Sequence, residues 1–156
     1  MTDRAAVVRL QRLVGVEGSD LGSDHGRWQV YRQAIERPEA FGLLHECVAG
    51  EDDPALASSV VVGVLGRVDR SERDAWVGAL PPEFADFARR RAEEWGVLED
   101  VLSGDYPGER VEEDSPNWSD WLQLKIVEES ADPRVLGHLT TGGRTKRIRR
   151  LARESR

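Results

Sequence analysis

The sequence has a single cysteine, Cys47, among its 156 residues, and it has neither a CxxC pair nor an HExxH motif. One cysteine excludes a disulfide within the chain, and the missing motifs exclude the commonest zinc sites. The first ten residues include Asp3, Arg4 and Arg9, where a secretory signal needs an unbroken apolar stretch. These absences predict a cytoplasmic protein.

Long apolar runs and aromatic side chains are also scarce. The longest apolar run, Val60 to Gly66, is about a third of the roughly 20 residues that a bilayer-spanning helix needs, so no membrane span is expected. Aromatics make up 6% of the residues and charged residues 33%, a balance typical of helices with one apolar and one solvated face. The length suits one domain over residues 1–156.

Basic charge is in deficit and unevenly spread. The net charge is −7, yet residues 144–156 hold seven Arg or Lys against Glu154, a net charge of +6, which leaves −13 on residues 1–143. An acidic body repels nucleic acid and favours basic partners, whereas a basic end can contact phosphates or an acidic patch. The distribution predicts a protein partner with a basic surface, with nucleic acid as the less favoured alternative.

Apolar residues recur at the i, i+3, i+4 spacing of amphipathic helices along most of the chain. The segments that this spacing predicts to be helical are 2–14, 27–37, 38–50, 54–68, 71–80, 82–104, 118–131, 133–141 and 145–154. Residues 16–26, rich in Gly, Ser and Asp, predict a loop. Eight or nine helices of about ten residues, with no convincing strand, leave an all-α bundle or solenoid as the possible architectures.

Two Asp-Pro dipeptides mark helix starts, at Asp53 and Asp132, because Asp can accept an orphan amide hydrogen bond and Pro needs no donor at the first helical position. After Asp53 the β-branched run 60–62 leaves a buried strand as the alternative, but the longer helical periodicity favours a helix. Ser71 and Asp74 resemble a capping box for the next helix. Residues 103–116, rich in Gly, Pro and acids, predict a flexible acidic connection.

The last forty residues resemble a HEAT-like or leucine-rich-variant repeat. The matching features are the short helix with paired leucines in Asp132 to Leu139, and the following helix with an aliphatic residue, an Arg and a final Ala in Gly143 to Ala152. Residues 53–80 look like a diverged copy, and the two Asp-Pro starts lie 79 residues apart, near twice the ~40-residue period of HEAT-type helix pairs.

This resemblance, to bacterial HEAT repeat proteins, implies a HEAT-like α-α superhelix, a short right-handed solenoid of antiparallel helix pairs. Such families act mostly as binding scaffolds, although HEAT-like DNA alkylpurine glycosylases hold damaged DNA. The glycosylase function needs a basic concave surface, and here the body is acidic. The resemblance therefore implies a protein-interaction module that is not an enzyme.

The histidines and the cysteine do not indicate a metal site or a catalytic nucleophile. His45 and Cys47 are closest in sequence, but two residues apart on a helix they point nearly 200° apart, and His25 and His138 are remote. Cys47 lies between apolar residues, which favours core packing over nucleophilic chemistry. We expect no catalytic residue, no metal and no cofactor.

The predicted partner-binding surface combines acids with two closely spaced tryptophans. An exposed Trp beside acidic residues is a typical binding anchor, whereas the other three tryptophans, Trp28, Trp76 and Trp95, lie on apolar stripes and predict core positions. The predicted contact residues are Glu93, Glu94, Glu112, Glu113, Asp114, Trp118 and Trp121. One version of the hypothesis is an inhibitor or immunity-type protein that masks a basic toxin.

The basic C-terminal helix has two interpretations. It can be the polar outer face of a terminal capping helix, which solenoids need for solubility, or it can contact phosphates. The residues that would bind nucleic acid are Arg144, Lys146, Arg147, Arg149, Arg150 and Arg153. Capping is the favoured interpretation. Aromatic side chains that could stack on bases are missing from residues 144–156, which weakens the case for single-stranded nucleic acid. The sequence does not indicate an oligomeric state.

Overall fold

Ten α-helices make up most of the chain, and no strand occurs in residues 2–155, the part that the computed structural model describes. They are α1 Arg4–Val14, α2 Asp24–Ile35, α3 Phe41–Ala49, α4 Pro54–Val64, α5 Arg73–Gly78, α6 Asp86–Ser103, α7 Val111–Asp114, α8 Asp120–Glu129, α9 Pro133–Gly142 and α10 Lys146–Glu154. The all-α prediction is confirmed. Within those residues, no helix combines the length and the apolar content needed to cross a bilayer.

Aspartate side chains cap three of these helices. Asp53 and Asp132 cap α4 and α9 as predicted, each accepting from backbone N–H groups of the first helical turn. The cap of α1 is Asp3 rather than Thr2, the residue at which the predicted segment 2–14 begins, and Asp3 Oδ1 accepts from two N–H groups at 3.1 and 3.3 Å. The Asp-Pro signals thus place two helix starts correctly, because the cap and the fixed proline φ act together.

The β-branched run in α4 is helical, which confirms the helix over the strand alternative. Val60, Val61 and Val64 are buried, whereas Val62 is only half-buried. This is the pattern of one buried helix face, so burial of that face outweighs the modest helix penalty of β-branching.

The helix start before α5 differs from the prediction. The capping box is formed by Asp69 and Glu72, not by Ser71 and Asp74: the Asp69 backbone N–H donates to Glu72 Oε2 at 3.1 Å. A 3₁₀ turn over Arg70–Glu72 then leads into α5. Asp69 and Glu72 form the capping box because the helical structure begins with this additional 3₁₀ turn, which the apolar spacing did not indicate.

Helix α6 begins at Asp86, because a separate 3₁₀ turn, Pro82–Phe84, occupies the predicted first turn. The apolar spacing over residues 82–104 predicts one buried helix face that includes Phe84, Phe87 and Leu102. In the structure Phe84 and Phe87 are 48% and 58% exposed. Leu102, predicted for the same face, is also exposed. The apolar spacing therefore overestimates how much of this helix is buried.

The segment after α6 is folded into helical turns, although residues 103–116 predict a flexible connection. Gly104 ends α6 in a left-handed conformation with φ of +82°, which glycine adopts without steric cost. Two 3₁₀ turns, Gly108–Arg110 and Ser115–Asn117, flank α7. The side chain of Val111 is fully buried, so a single apolar residue among the acids anchors the segment.

Backbone contacts divide the chain into two compact units, unit 1 over Met1–Ala92 and unit 2 over Glu93–Arg156. In unit 1 the buried apolar side chains come mainly from α1 to α5, and Trp76 is among them as predicted. The core of unit 2 consists of Leu98, Val101, Val111, Trp118, Leu122, Ile126, Val127, Val135, Leu136, Leu139, Ile148 and Ala152. Trp28 and Trp95, predicted as core, are only half-buried.

A buried ion pair ties α2 to the start of α4 in unit 1. Arg27 Nε and Nη2 donate to the two carboxylate oxygens of Glu51 at 3.0 and 2.9 Å, and the two side chains are 10% and 0% exposed. Glu51 also accepts from the Tyr31 hydroxyl at 2.6 Å and from the Asp53 backbone N–H at 3.2 Å. Burial, and to a smaller extent the hydrogen bond to Glu51, raises the pKa of Tyr31. The phenol therefore stays protonated and can donate to the Glu51 carboxylate.

Candidate interaction surfaces

Three of the predicted contact residues in unit 2 are used in its own packing. Trp118 is 6% exposed and packs edge-to-face on Tyr106, with ring centroids 5.6 Å apart. Glu94 is buried and accepts a hydrogen bond from the Ser119 hydroxyl. Asp114 accepts from the Tyr106 hydroxyl and pairs with an arginine at 3.3 Å. These three side chains are therefore not part of an exposed binding surface, because core packing and internal hydrogen bonds occupy them.

Burial, with a smaller effect of Asp114, raises the pKa of Tyr106 to about 12. The phenol therefore remains protonated near neutral pH and can donate to the Asp114 carboxylate. This hydrogen bond fixes one acid of the 103–116 segment inside unit 2.

Trp121 is half-buried, so part of its side chain remains exposed to solvent. Its ring packs edge-to-face on Trp95 with centroids 5.1 Å apart, and Lys125 Nζ lies 6.0 Å from the centroid of Trp95. Aromatic pairs of this geometry contribute to packing beyond the area that they bury. Trp121 therefore combines a structural contact with some exposed surface.

Three predicted acids remain exposed: Glu93, Glu112 and Glu113 have no ion pair within residues 2–155. They belong to a strongly acidic part of unit 2, since residues 93–143 hold thirteen acidic residues against three basic ones, a net charge of −10. Glu112 and Glu113 lie on α7 beside the buried Val111. The exposed acids, hereafter the acidic surface, are what remains of the predicted contact set, together with Trp121.

Helix α10 brings most of the predicted basic residues together. Thr145 caps the helix, Ile148 and Ala152 are buried in the core of unit 2, and the opposite face is cationic. A shallow depression of about 400 Å³ is lined by Lys146, Arg147, Arg149, Arg150 and Arg153. Arg144, which precedes the helix, is the one predicted member outside this lining.

Some of these cations have acidic partners within unit 2. Arg144 Nε lies 2.7 Å from Asp120 Oδ1, Arg147 lies 4.0 Å from Glu128, and Arg150 lies 3.8 Å from a glutamate of its own helix. The first two pairs link the basic segment to α8. All three pairs are exposed, and such pairs contribute only about 0–1 kcal/mol each.

The histidines and the cysteine, which were considered above as metal ligands or nucleophiles, do not form a common site. Within residues 2–155 no group of three or more His, Cys, Asp or Glu side chains is arranged to hold a metal ion. His45 Nε2 lies 3.0 Å from the Ala75 carbonyl oxygen, and His25 contacts Gln29. Cys47 is buried, and this burial raises the pKa of its thiol to about 12.

Unit 1 has a groove that the sequence did not indicate, hereafter the α2–α4 groove. It encloses about 370 Å³ and is lined by Asp24, His25, Trp28, Asp53, Ala55, Leu56 and Ser59. Asp24 and His25 lie in the predicted loop 16–26 and Trp28 was predicted as core, whereas in the structure α2 already begins at Asp24. The i, i+4 spacing of Asp24 and Trp28, which places both on one helix face, was the available signal.

No protein-family model, no curated protein and no solved structure matches this chain. A functional assignment therefore depends on the surfaces described above: the acidic surface and the cationic face of α10 in unit 2, and the α2–α4 groove in unit 1.

Proposed function

We propose that the chain is a non-catalytic protein-interaction module of the cytoplasm, built from HEAT-like stacked helix pairs. In unit 1, α1 packs against α2 and α3, and α2 packs against α3 and α4. In unit 2, α8 packs against both α9 and α10, and α9 packs against α10. Packing against the next helix and the next but one is the pattern that stacked helix pairs produce, which supports the solenoid over a simple bundle.

The partner that we propose is a protein with a basic surface. The observation that carries this proposal is the net charge of −10 on residues 93–143, with Glu93, Glu112 and Glu113 exposed and not paired in the described chain. Such a field attracts cationic proteins over about a Debye length and raises their association rate. An inhibitor or immunity-type protein that masks a basic toxin is one concrete form of this function.

Charge reversal on α7 tests the proposal. The full chain would be immobilised and exposed to a native lysate, with bound proteins identified by mass spectrometry across a salt series. We expect a basic protein that dissociates as salt rises, and we expect Glu112→Lys with Glu113→Lys to abolish its capture. The field weakens with ionic strength because counterions screen exposed charges.

The matched control is Glu39→Lys with Glu83→Lys, which makes the same change in net charge at two exposed positions of unit 1. We expect this variant to retain most of the capture. Equal loss in both variants, or recovery of nucleic acid alone, would remove the proposal of a basic protein partner.

A second candidate function, binding of nucleic acid, has one specific observation in its favour: five cations line a single depression on α10. Phosphates could replace their weak internal partners, because exposed ion pairs contribute little. We expect duplex DNA to bind, if this function is correct, with a steep salt dependence.

Arg149→Ala with Arg150→Ala tests this candidate, because both side chains line the depression. The change would weaken DNA binding uniformly across sequences. Arg32→Ala with Arg37→Ala, at exposed positions of unit 1, removes the same charge elsewhere. The absence of binding by the unmodified chain at about 50 mM salt, where phosphate contacts are strong, would exclude nucleic acid.

A further inference from the structure

The lining of the α2–α4 groove includes an aromatic side chain, an apolar side chain and two carboxylates. The half-buried indole of Trp28 comes from α2, the buried side chain of Leu56 comes from α4, and Asp24 and Asp53 stand at the starts of the two helices. A volume of about 370 Å³ is at the small end of the range for protein ligand sites, which is roughly 300–1,000 Å³. The groove is thus of a size for one side chain rather than for a large ligand.

We propose that the α2–α4 groove binds an arginine side chain of the partner protein, an inference that rests on the proposed function and assigns it a second contact. The groove would add a specific contact to the attraction that the acidic surface exerts.

The charge of the lining favours a cation. None of the seven lining residues is Lys or Arg, and two are carboxylates. Asp24 Oδ1 accepts from the His25 N–H at 2.8 Å, and Asp53 Oδ1 accepts from two N–H groups of α4 at 3.0 and 3.2 Å. All of these hydrogen bonds use Oδ1, and no hydrogen bond to Oδ2 of either aspartate occurs in residues 2–155. Each carboxylate therefore keeps one oxygen for a ligand.

The helix dipoles oppose a cation but do not cancel the carboxylates. The first turn of a helix carries the equivalent of roughly half a positive charge, and two helices begin at this groove. Two carboxylates against these two termini leave a net charge of about −1. The local field therefore still attracts a positively charged group.

Arginine suits the groove better than lysine. Its planar guanidinium can stack on the indole of Trp28 while its N–H groups reach carboxylate oxygens on both sides, and its aliphatic stem can cover Leu56. The ammonium of lysine is compact and more strongly hydrated, so it gains less from the aromatic face. Arg27, which precedes Trp28 on α2, cannot serve as this cation because Glu51 binds its guanidinium.

A peptide titration on the full chain tests the inference. The probes are acetyl-Gly-Arg-Gly-amide, its lysine analogue and its citrulline analogue, which has the shape of arginine without the charge. We expect ¹H–¹⁵N NMR spectra to show saturable shifts at Asp24, Asp53 and the Trp28 indole N–H, with a dissociation constant on the order of 1 mM for the arginine peptide. Lysine would bind more weakly, and citrulline would not bind.

Two variants separate binding from folding. Asp24→Asn with Asp53→Asn removes both charges while Asn keeps the capping capacity of Asp, so α4 remains formed and the arginine peptide binds about tenfold more weakly. The control, Asp74→Asn with Glu83→Gln, removes two exposed charges of unit 1 outside the groove and leaves binding unchanged. Equal shifts with the citrulline peptide, or equal weakening in both variants, would overturn the inference.

The titration requires no partner, so its failure is separate from failure of the proposed function. If the peptides do not bind but a basic protein is captured through the acidic surface, the groove inference is wrong and the proposed function stands. If the arginine peptide saturates the groove but no basic protein is captured, the proposed function is wrong and the groove remains a guanidinium site.

Discussion

The guanidinium of Arg27 and the carboxylate of Glu51 lie in the interior of unit 1, where water reaches them little. A buried ion pair adds limited stability compared with apolar residues of the same volume, since both charges lose their hydration. Loss of one partner is different, because the other charge then remains buried without compensation. This pair could not be predicted from the sequence, because the partners are 24 positions apart and both residue types are usually exposed.

We predict that Glu51→Ala lowers the free energy of unfolding by about 3–5 kcal/mol, because Arg27 is left buried and unpaired. The control is Glu46→Ala, which breaks the exposed pair with Arg9 at 2.8 Å and costs less than about 1 kcal/mol. Urea denaturation followed by circular dichroism measures both. Equal losses in the two variants would show that burial does not govern the effect.

A double substitution refines this test. Arg27→Met with Glu51→Leu removes both charges together and should recover most of the stability that Glu51→Ala loses. Failure to recover would show that the hydrogen bonds to Tyr31 and Asp53, rather than the uncompensated charge, dominate.

We predict that the Cys47 thiol reacts slowly with iodoacetamide in the folded chain. Burial raises its pKa from 9.0 to about 12, so at pH 8 the thiolate is roughly 10³-fold less populated than in the unfolded chain. The protonated thiol adds to stability below pH 9, and this contribution is lost as the pH rises from 9 towards 12. Mass spectrometry of native and urea-unfolded samples measures the ratio. Similar rates in both would contradict the burial.

At the scale of the helices, local signals determined how well each start could be predicted. Asp53 and Asp132 each precede a proline, and both starts were right because cap and proline act within two residues. The 3₁₀ turns before α5 and α6 were missed, since a three-residue turn is too short for apolar periodicity to indicate. The segment 103–116 is held by the buried Val111 and by the packing of Tyr106 on Trp118, and two such residues among acids are a weak signal.

The same limit applies to the candidate sites. The acids and tryptophans of unit 2 could be chosen from the sequence as candidate contact residues, but the sequence does not show which of them are exposed. Trp118 packs on the ring of Tyr106, twelve residues earlier in the chain, whereas Trp121 packs on Trp95. Contacts between separate segments of the chain decided which candidates stayed on the surface.

We predict that Gly26→Ala destabilises α2, whereas Gly42→Ala does not destabilise α3. A Cβ at Gly26 would lie 1.9 Å from the Asp20 carbonyl oxygen, so the preceding loop would have to move, at a cost of about 1–3 kcal/mol. A Cβ at Gly42 meets nothing within 4 Å, and alanine favours helix by up to about 1 kcal/mol. Thermal denaturation of both variants measures the difference; equal midpoints would contradict the close approach.

At the scale of the whole molecule, the candidate binding surfaces are distributed over the two compact units. Unit 2 has its own core of twelve buried residues and carries both the acidic surface and the cationic face of α10. Unit 1 contains the Arg27–Glu51 pair and the α2–α4 groove. The length of the chain predicted one domain over residues 1–156, and neither the length nor the resemblance to repeats indicated this division.

We predict that residues 86–156, which keep α6 whole, fold as an isolated fragment with a free energy of unfolding of only about 3–5 kcal/mol. Cores of chains this short rarely supply more. Helical circular dichroism and a cooperative urea transition are the expected observations. The variant Ile126→Asp, which places a charge in the core, is expected to be unfolded. A wild-type fragment without helical signal would contradict the prediction.

The Arg27–Glu51 pair also constrains how this sequence can diverge. A lineage that replaces either residue first passes through a protein with an uncompensated buried charge, which selection for folded protein removes. Descendants are therefore expected to inherit the two residues jointly or to lose them jointly. Covariation between positions 27 and 51, far apart in the chain, would be the evolutionary trace of one buried electrostatic contact.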